Sequence, residues 1–206
     1  MISVACVLRS GGRYDASWVA KLQRGVARHL SLPHRFVCLS DEPVDCERIP
    51  LETDWPGWWS KIEMFRPGLL TGQTLYLDLD TVITGPLAPL LSDQFTMTRD
   101  FLNPNIMNSG VMAWAGDYSI IWEAMKVNPA GIIEHYDAWP DGRIGDQALI
   151  EDVMRAVAMT FNPGLVVSWK RDCRNGPPAG ASAVSFHGRK KQDDLLKHEW
   201  IRTAWN

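Results

Sequence analysis

Two aspartates separated by one residue, Asp78 and Asp80, are the first candidates for chemistry in this sequence. They close the apolar run Leu75–Asp80, for which we predict a strand whose alternation places Tyr76 and both carboxylates on one face. Two like charges where a sheet ends need a cation, and their oxygen atoms suit Mg²⁺ or Mn²⁺. About one such triplet is expected by chance in a chain with 16 aspartates. Two solvated carboxylates, or two that cap backbone amides, are therefore an equally weighted alternative.

A histidine followed by three cations is the second candidate, far along the chain in His187–Lys191. It follows a short strand predicted over Val184–Phe186. A glycine and several cations after an imidazole suit a site that ligates a metal and holds a diphosphate. Since an imidazole is a softer ligand than a carboxylate, the set Asp78, Asp80 and His187 favours Mn²⁺ over Ca²⁺. The alternative is a surface or core imidazole whose hydrogen bonds the protein itself satisfies.

Two further polar motifs could bind a polyhydroxylated ligand. Asn108, Ser109 and Gly110 offer an amide, a hydroxyl and a position of close approach immediately before a predicted strand, although an ordinary turn has the same composition. Asp146 and Gln147 open a predicted helix, where Asp146 could be no more than the N-cap.

The elements that must position these residues alternate between strands and helices. A strand over Ile2–Leu8, a helix capped by Asp15 or Ser17 and stopped before Pro33, and a strand over Arg35–Leu39 predict a βαβ unit. Further elements are expected at 59–65 (helix), 111–114 (strand), 118–127 (helix), 147–157 (helix) and, in the tail, 193–205 (helix). The pattern predicts one α/β domain over residues 1–206.

Composition excludes several classes of protein. The longest apolar runs are far below the ~20 residues that a transmembrane helix needs. A net charge of −3 argues against a nucleic-acid partner. The four cysteines have no C-x-x-C spacing, and the N-terminal run has neither a basic leader nor a cleavage site, so we expect a cytoplasmic protein with reduced thiols.

Taken in order along the chain, these motifs resemble those of GT-A fold glycosyltransferases, particularly the family 8 group. The segment Leu75–Gly85 resembles the "YLDxDxxVxGDL" strand and turn of that family, and Lys61 stands upstream like its basic residue near the donor diphosphate. Asn108–Val111 is similar to its "N[SA]GV" segment, Asp146–Ala148 to its "DQ" helix start, and His187–Lys190 to its metal histidine followed by a lysine. The resemblance extends over roughly residues 2–191.

The resemblance implies a GT-A (Rossmann-like) domain, with a mixed, mostly parallel sheet and helices on both faces. It implies transfer of a sugar, with retention, from a nucleotide-diphosphate donor, expected to be a UDP-sugar, to an unknown carbohydrate-type acceptor. Mn²⁺ or Mg²⁺ would be held by Asp78, Asp80 and His187. The catalytic candidates are Asp146 and Gln147. The donor-binding candidates are Arg9, Tyr14, Lys61, Asp78, Asn108, Ser109, Gly110, Gly188 and Lys190, with Lys191 as the alternative to Lys190 at the phosphate.

Two other functions fit parts of the sequence. A haloacid-dehalogenase-type phosphatase also places two aspartates after an apolar strand, but Val82 stands where that family has threonine. A carbohydrate- or nucleotide-binding module without catalysis would use loop tryptophans as its contact surface.

The 10 tryptophans and the tail complete the set of candidates. Trp58, Trp59, Trp114 and Trp139 could form a platform for an acceptor sugar, whereas Trp18 and Trp122 are expected in the core. The basic and aromatic tail, residues 197–205, could contact an anionic lipid surface, and a docked C-terminal helix is the alternative.

Overall fold

Strands and helices alternate along the chain, and the structure, a computed structural model, describes residues 1–138 and 144–206. The strands in this part of the chain are β1 Ile2–Leu8, β2 His34–Ser40, β3 Glu47–Pro50, β4 Thr74–Leu77, β5 Thr81–Ile83, β6 Thr96–Arg99, β7 Met107–Trp114, β8 Met159–Thr160, β9 Val166–Ser168 and β10 Ala183–Ser185. The α-helices are α1 Ala16–His29, α2 Ile120–Lys126, α3 Pro129–Asp137, α4 Gly145–Met154, α5 Trp169–Asp172 and α6 Glu199–Ala204. Short 3₁₀ helices span Gly57–Phe65, Ala88–Leu90 and Gln192–Leu195.

A seven-stranded sheet with the order β3-β2-β1-β4-β7-β6-β8 forms the centre of the described residues. Strands β3, β2, β1 and β4 run parallel to one another, as do β6 and β8, whereas β7 is antiparallel to both of its neighbours. A smaller sheet has the order β5-β10-β9. The α/β class with a mixed, mostly parallel sheet is therefore confirmed.

Alternation along the central strands gives the sheet two apolar faces. Val4, Cys6 and Leu8 of β1 belong to the cluster that receives α1, and Ala5 belongs to the cluster that receives α2 and α4. Because successive side chains of a strand point to opposite faces, the helices cover both faces of the sheet. Asp15 caps α1 by accepting a hydrogen bond from the Ser17 backbone N–H at 2.9 Å, as the sequence predicts.

The strand predicted over Leu75–Asp80 is wrong in its second half. Strand β4 ends at Leu77, and the next residue bonds across to β7, since the Asp78 N–H donates to the Gly110 carbonyl at 2.8 Å. The Thr81 N–H then donates to the Asp78 carbonyl at 3.0 Å, which closes a turn before β5 enters the smaller sheet. Asp78 and Asp80 therefore lie in the turn that joins the two sheets, and strand alternation does not decide where they point.

The tail forms two short helices instead of the single helix that we predicted. The 3₁₀ helix Gln192–Leu195 and α6 are packed onto the α1 face, where Ile201 and Trp205 are buried. Arg28 of α1 donates hydrogen bonds to the carbonyls of Ala204 and Asn206, at 2.6 and 2.9 Å. The docked arrangement, one of the two alternatives for the tail, is thus the one found.

Most tryptophans in the described residues pack inside the protein. Trp18 and Trp122 are buried, as expected. Trp59 and Trp114, two of the candidates for an acceptor platform, are also buried, whereas Trp58 is 53% exposed. Trp139 lies outside the described residues. All four cysteines are unpaired, and within residues 1–138 and 144–206 no helix is both long and apolar enough to span a bilayer.

Candidate active site

A cavity of about 720 Å³ opens where β1, β4 and β10 end. The loops after these strands meet the first residues of β7, the start of α4 and the 3₁₀ helix Gly57–Phe65 around it. This cavity is lined by Arg9, Tyr14, Lys61, Asp78, Asp80, Asn108, Ser109, Gly110, Asp146, Gln147, His187, Gly188 and Lys191, among others. Every metal, donor-binding and catalytic candidate predicted from the sequence except Lys190 therefore lines one cavity.

One wall of the cavity is a buried network made of Lys61, Asp78, Ser109 and Asp146. The Lys61 Nζ atom lies 2.9 Å from Asp146 Oδ2 and 3.2 Å from Asp78 Oδ1, and it donates to Ser109 Oγ at 3.0 Å. Ser109 Oγ in turn donates to Asp146 Oδ2 at 2.8 Å. Tyr76 Oη donates a short hydrogen bond to Asp78. The ammonium group of Lys61 thus joins the Asp78 and Asp146 carboxylates.

Burial and charge act in opposite directions on the ionisable groups of this network. Burial is the main cause that raises the pKa of Asp78 to about 6, with the Lys61 charge opposing it and the nearby Asp80 and Asp146 adding to it. About a third of the Asp78 side chain remains exposed, and this residue lines the cavity. Burial lowers the pKa of Lys61, but the charges of Asp146 and Asp78 outweigh it and leave that pKa raised. Lys61 therefore stays cationic at neutral pH.

Asp80 has a different partner, at the other end of the chain. Lys191 Nζ lies 2.5 Å from Asp80 Oδ2 and donates to the Phe186 carbonyl at 2.9 Å. We call Asp80 and Lys191 the open pair, because both line the cavity and Lys191 contacts one carboxylate, where Lys61 contacts two. Lys190, by contrast, is exposed and does not line the cavity. Of the two lysines left open by the sequence, Lys191 is the one that the fold brings to the site.

His187 lies in the cavity wall next to β9. Its Nε2 atom is 2.7 Å from Ser168 Oγ, and its ring stacks on Phe101 with centroids 5.0 Å apart. Burial, followed by the Lys170 charge, lowers the pKa of His187. The imidazole is thus neutral at pH 7, the form that ligates metals. Gly188 has φ +84°, a conformation that favours glycine, and a Cβ there would also displace the end of the Lys170 side chain, whose Nζ would lie 2.3 Å away.

Asn108, Ser109 and Gly110 lie inside strand β7, which corrects the prediction that they come immediately before it and leaves no place for the alternative of an ordinary turn. The Asn108 Nδ2 atom donates to Gln147 Oε1 at 2.9 Å, and its Oδ1 accepts from the Gly110 N–H at 2.9 Å. A Cβ on Gly110 would lie 2.9 Å from Asn108 Oδ1 and 3.2 Å from Asp78 Oδ2. Only glycine lets the Asn108 amide and the Asp78 carboxylate lie this close to the strand.

Asp146 is not a helix cap. Helix α4 begins at Gly145, Ile144 occupies the N-cap position, and no side chain caps the helix. The Asp146 side chain instead bonds to Lys61 and Ser109 and keeps only 4% exposure. The sequence pattern of a capping residue therefore concealed a buried carboxylate that links α4 to β7 and to the 3₁₀ helix.

The loop after β1 forms the third part of the wall. Arg9 donates to the Thr53 carbonyl at 2.9 Å, and the Tyr14 ring packs edge-on against Trp18 with centroids 4.8 Å apart. Burial is the main cause that raises the pKa of Tyr14, with the Asp80 and Asp78 charges adding to it. Tyr14 therefore stays a neutral phenol.

Sequence reasoning missed Arg13, which also lines the cavity. Its Nη2 atom lies 2.6 Å from Asp193 Oδ1 and 2.8 Å from Asp194 Oδ1, and its Nη1 donates to the Arg189 carbonyl at 3.2 Å. Arg13 thus ties the loop after β1 to the segment that carries Lys191. The acidic pair was visible in the sequence, but its partner lies 180 residues away.

Three side chains of the site have the donor atoms that a divalent metal needs. Asp78, Asp80 and His187 line the same cavity and supply carboxylate oxygen and neutral imidazole nitrogen, the donor set that suits Mn²⁺ or Mg²⁺. Across residues 1–138 and 144–206, no group of three His, Cys, Asp or Glu side chains is gathered tightly enough to hold a metal ion. Ammonium groups contact both carboxylates, and Ser168 contacts the imidazole. The chemistry of the set fits the metal, and side-chain rearrangement would have to complete it.

Comparison with solved structures identifies the fold. The galactosyltransferase LgtC, crystallised with donor and acceptor sugar analogues, matches with TM-score 0.69 and 12% identity over 99% of this chain and 96% of its own. The chain has the GT-A glycosyltransferase fold. The glycosyltransferase GlyE of Streptococcus pneumoniae TIGR4 matches this GT-A domain with TM-score 0.68, 11% identity and 99% coverage of the chain, which spans 60% of GlyE. The bifunctional glycosyltransferase WbbM matches with TM-score 0.64 and 12% identity over 98% of the chain and 50% of its own length.

The likeness is one of fold, because sequence comparison finds no matching family model and no matching curated protein. The GT-A fold expected from the order of the motifs is confirmed. The alternative of a haloacid-dehalogenase-type phosphatase required a different fold, and it is not retained.

Proposed function

We propose that this protein transfers a sugar from a nucleotide-diphosphate donor, expected to be a UDP-sugar, to a carbohydrate-type acceptor. The observation that carries the proposal is the convergence of Asp78, Asp80, His187 and Lys191 with Asn108 and Gln147 on one cavity of a GT-A fold. Carboxylates and an imidazole suit a divalent cation, cations suit a diphosphate, and amides suit sugar hydroxyls. A site for a simple phosphomonoester would not need the last group.

Asp78, Asp80 and His187 would hold Mn²⁺ or Mg²⁺, and the ion would supply positive charge to neutralise the diphosphate of the donor. To bind this ion, the protein must break two contacts, one between Asp80 and Lys191 and one between His187 and Ser168. Breaking these contacts leaves the Lys191 ammonium and the Ser168 hydroxyl with other partners. Lys191 also donates to the Phe186 carbonyl, and the Ser168 hydroxyl also accepts from the Arg171 N–H.

The leaving diphosphate would be held by the cations of the loop after β10. Lys191 is the first candidate because it lies beside Asp80, and Arg189 and Arg13 also line the cavity. When the bond between the anomeric carbon and the diphosphate oxygen breaks, negative charge grows on that oxygen, and a lysine ammonium stabilises it. Lys61 acts differently in this proposal: it is bound to two aspartates and a serine, so it fixes the sugar-binding wall.

The positive charge that develops at the anomeric carbon needs an oxygen atom on the face opposite the leaving group. Gln147 supplies a candidate, since its Oε1 atom lines the cavity and is oriented by the Asn108 amide at 2.9 Å. Asp146 is held by Lys61 and Ser109, so we assign it the orientation of sugar hydroxyls and of the neighbouring Gln147. Transfer with retention of configuration is part of this proposal, and the NMR spectrum of the product reports it.

Calorimetry followed by an activity assay tests the proposal. We expect UDP to bind with Mn²⁺ present and to bind far more weakly after chelation, and we expect UDP-glucose or UDP-galactose to release UDP slowly in water. GDP-mannose serves as the control for the base. Release of phosphate from p-nitrophenyl phosphate would favour phosphatase activity, and UDP binding without any donor turnover would favour a binding module.

The proposal keeps the cytoplasm as the location and treats membrane contact as a separate question. Because Ile201 and Trp205 of the tail are buried against α1, contact with an anionic lipid surface would depend on Leu196, Lys197 and Arg202. Flotation with liposomes that contain phosphatidylserine, using the full chain and the variant Lys197→Glu, measures that contact.

A further inference from the structure

Trp58 is the exposed tryptophan of the cavity wall. It keeps 53% exposure, whereas the next residue, Trp59, keeps 1% and packs in the core. The difference arises at the start of the 3₁₀ helix, where Gly57 with φ +53° turns the chain and leaves Trp58 on its outer side. A single exposed apolar side chain is common on protein surfaces, so the position of Trp58 carries meaning through its place in the cavity wall and through its neighbours.

The indole of Trp58 is fixed against the start of α4. A Cβ on Gly145 would lie 2.2 Å from Trp58 Nε1 and 2.7 Å from its Cδ1, so the edge of the indole rests directly on the Gly145 backbone. Gly145 also has φ +65°, a conformation that other residues rarely adopt. This contact places the ring beside the first turn of α4, which carries Asp146 and Gln147. Trp58 therefore packs against the same helical turn that carries the proposed catalytic groups.

The surroundings of Trp58 differ from the rest of the cavity. Ile144, the N-cap of α4, also lines the cavity and keeps 49% exposure, so Gly57, Trp58 and Ile144 form an apolar lip beside the first turn of α4, which carries Gln147. The cations Arg13, Arg189 and Lys191 come instead from the loops after β1 and β10. A ligand at the lip thus meets an apolar surface and an amide, with no ammonium or guanidinium group among these four residues.

We propose that Trp58 is the platform for the acceptor sugar, with a pyranose ring stacked by its C–H face on the indole. A pyranose combines an apolar face with a rim of hydroxyl groups, which matches an indole bordered by the Gln147 amide. The inference rests on the proposed function, because the cations draw the donor diphosphate to the other loops and leave the lip to the second substrate. Of the tryptophans considered from the sequence, Trp59 and Trp114 are excluded from this role by their burial.

Indole NMR tests the platform directly. The ¹⁵N-labelled chain, saturated with UDP and Mn²⁺, is titrated with methyl β-D-galactopyranoside, methyl β-D-glucopyranoside, lactose and maltose, and the Trp58 signal is assigned from the variant Trp58→Phe. We expect at least one pyranoside to shift the Trp58 Nε1–H signal. Trp58→Ala should weaken the binding of that pyranoside about tenfold, and Trp58→Phe, which keeps a ring, about threefold.

Two controls separate the platform from a general loss of structure. UDP affinity should change less than twofold in both Trp58 variants, because the lip does not touch the proposed phosphate site. Ile120→Ala removes another exposed apolar side chain, 62% exposed on α2, and should leave pyranoside binding unchanged. If Trp58→Ala does not fold, the wild-type signal and Trp58→Phe still decide the question.

The outcomes distinguish this inference from the proposed function. Normal UDP binding together with an unmoved Trp58 signal across the panel overturns the platform and leaves the transferase proposal standing. Equal pyranoside affinity in the wild type and Trp58→Ala also overturns it. Absence of both UDP binding and donor turnover in the wild type instead refutes the proposed function.

Discussion

Asp78 and Asp80 are two residues apart, yet the protein gives them opposite surroundings. Asp78 belongs to the buried network, in which Lys61 contacts two carboxylates and the Ser109 hydroxyl and keeps 6% side-chain exposure. Asp80 belongs to the open pair, in which Lys191 lies on a surface segment and also contacts the Phe186 carbonyl. On this difference rests our proposal that Lys61 stays in the wall and that Lys191 leaves Asp80 when a metal ion binds.

The number of partners and the burial of each lysine differ between the two pairs. Lys61, with 6% side-chain exposure, contacts two carboxylates, so its removal leaves both uncompensated, which costs several kcal/mol, whereas Lys191, with 13%, contacts one. The segment that carries Lys191 is held from outside by Arg13, through exposed ion pairs with Asp193 and Asp194. One motif therefore combines an aspartate in a network of several partners with an aspartate paired with Lys191.

The largest effect is expected for Asp80→Asn, which removes the charge that is proposed to exchange its cation. Metal-dependent UDP binding should disappear, so that titrations with and without Mn²⁺ give the same affinity, while the melting temperature stays close to that of the wild type. His187→Ala should weaken the same binding by less, because the two carboxylates remain. Calorimetry makes both measurements, and Asp45→Asn, on an exposed loop, is the matched control. Unchanged metal-dependent binding in Asp80→Asn would remove Asp80 from the proposed metal site.

The next largest effect is expected for Lys61→Met, which leaves the Asp78 and Asp146 carboxylates without their ammonium partner. We expect a loss of about 3 kcal/mol in the free energy of unfolding, and a melting temperature lower by roughly 6–12 °C. Thermal and urea denaturation measure it. Lys190→Met removes an exposed lysine and should change stability by less than about 0.5 kcal/mol. Equal stability of the two variants would contradict the conclusion that the buried network depends on Lys61.

A smaller effect of a different kind is expected for Lys191→Met. Without nucleotide, this variant should bind Mn²⁺ about tenfold more tightly than the wild type, because the lysine no longer competes for Asp80. With Mn²⁺ saturating, the same variant should bind UDP more weakly, because a cation for the diphosphate is lost. Electron paramagnetic resonance of free Mn²⁺ measures the first affinity and calorimetry the second. Mn²⁺ affinity no tighter than that of the wild type would show that Lys191 does not compete with the metal.

The smallest effect is expected for Arg13→Ala, which removes the exposed ties between the loop after β1 and the Lys191 segment. UDP affinity should fall by about threefold, because the segment is less well positioned, and the melting temperature should barely change. High salt should reproduce part of this loss in the wild type and have less effect on the variant. A loss as large as that of Asp80→Asn would mean that Arg13 itself binds the nucleotide.

The sequence predicted some elements closely because local signals decided them. Strand β1 and helix α1 follow from an apolar run and from a four-residue apolar period behind a capping aspartate, and both have these bounds within a residue or two. The end of β4 could not be predicted in this way. Alternation continues through Asp80, but the hydrogen bond that ends the ladder depends on the Gly110 carbonyl of a strand 32 residues away.

The candidate site shows the same division. Residue types and their order along the chain were enough to select twelve residues that line the cavity. The thirteenth metal, donor-binding or catalytic candidate, Lys190, does not line it. The choice between Lys190 and Lys191 depended on how the chain turns after Gly188, where φ is +84°. The role of Asp146 was hidden because a cap and a buried ion pair look alike in sequence, and only the approach of Lys61 separates them.

By itself, the sequence determined the α/β class, the βαβ start and the set of chemical groups that the site contains, because apolar periodicity and residue type are local properties. Only the tertiary structure decided which groups meet. It placed Asp78 beside Lys61 and Asp80 beside Lys191, and it left Trp58 exposed next to a buried Trp59. The physical reason is that burial and charge pairing depend on distances between segments far apart in the chain, and these distances exist only after folding.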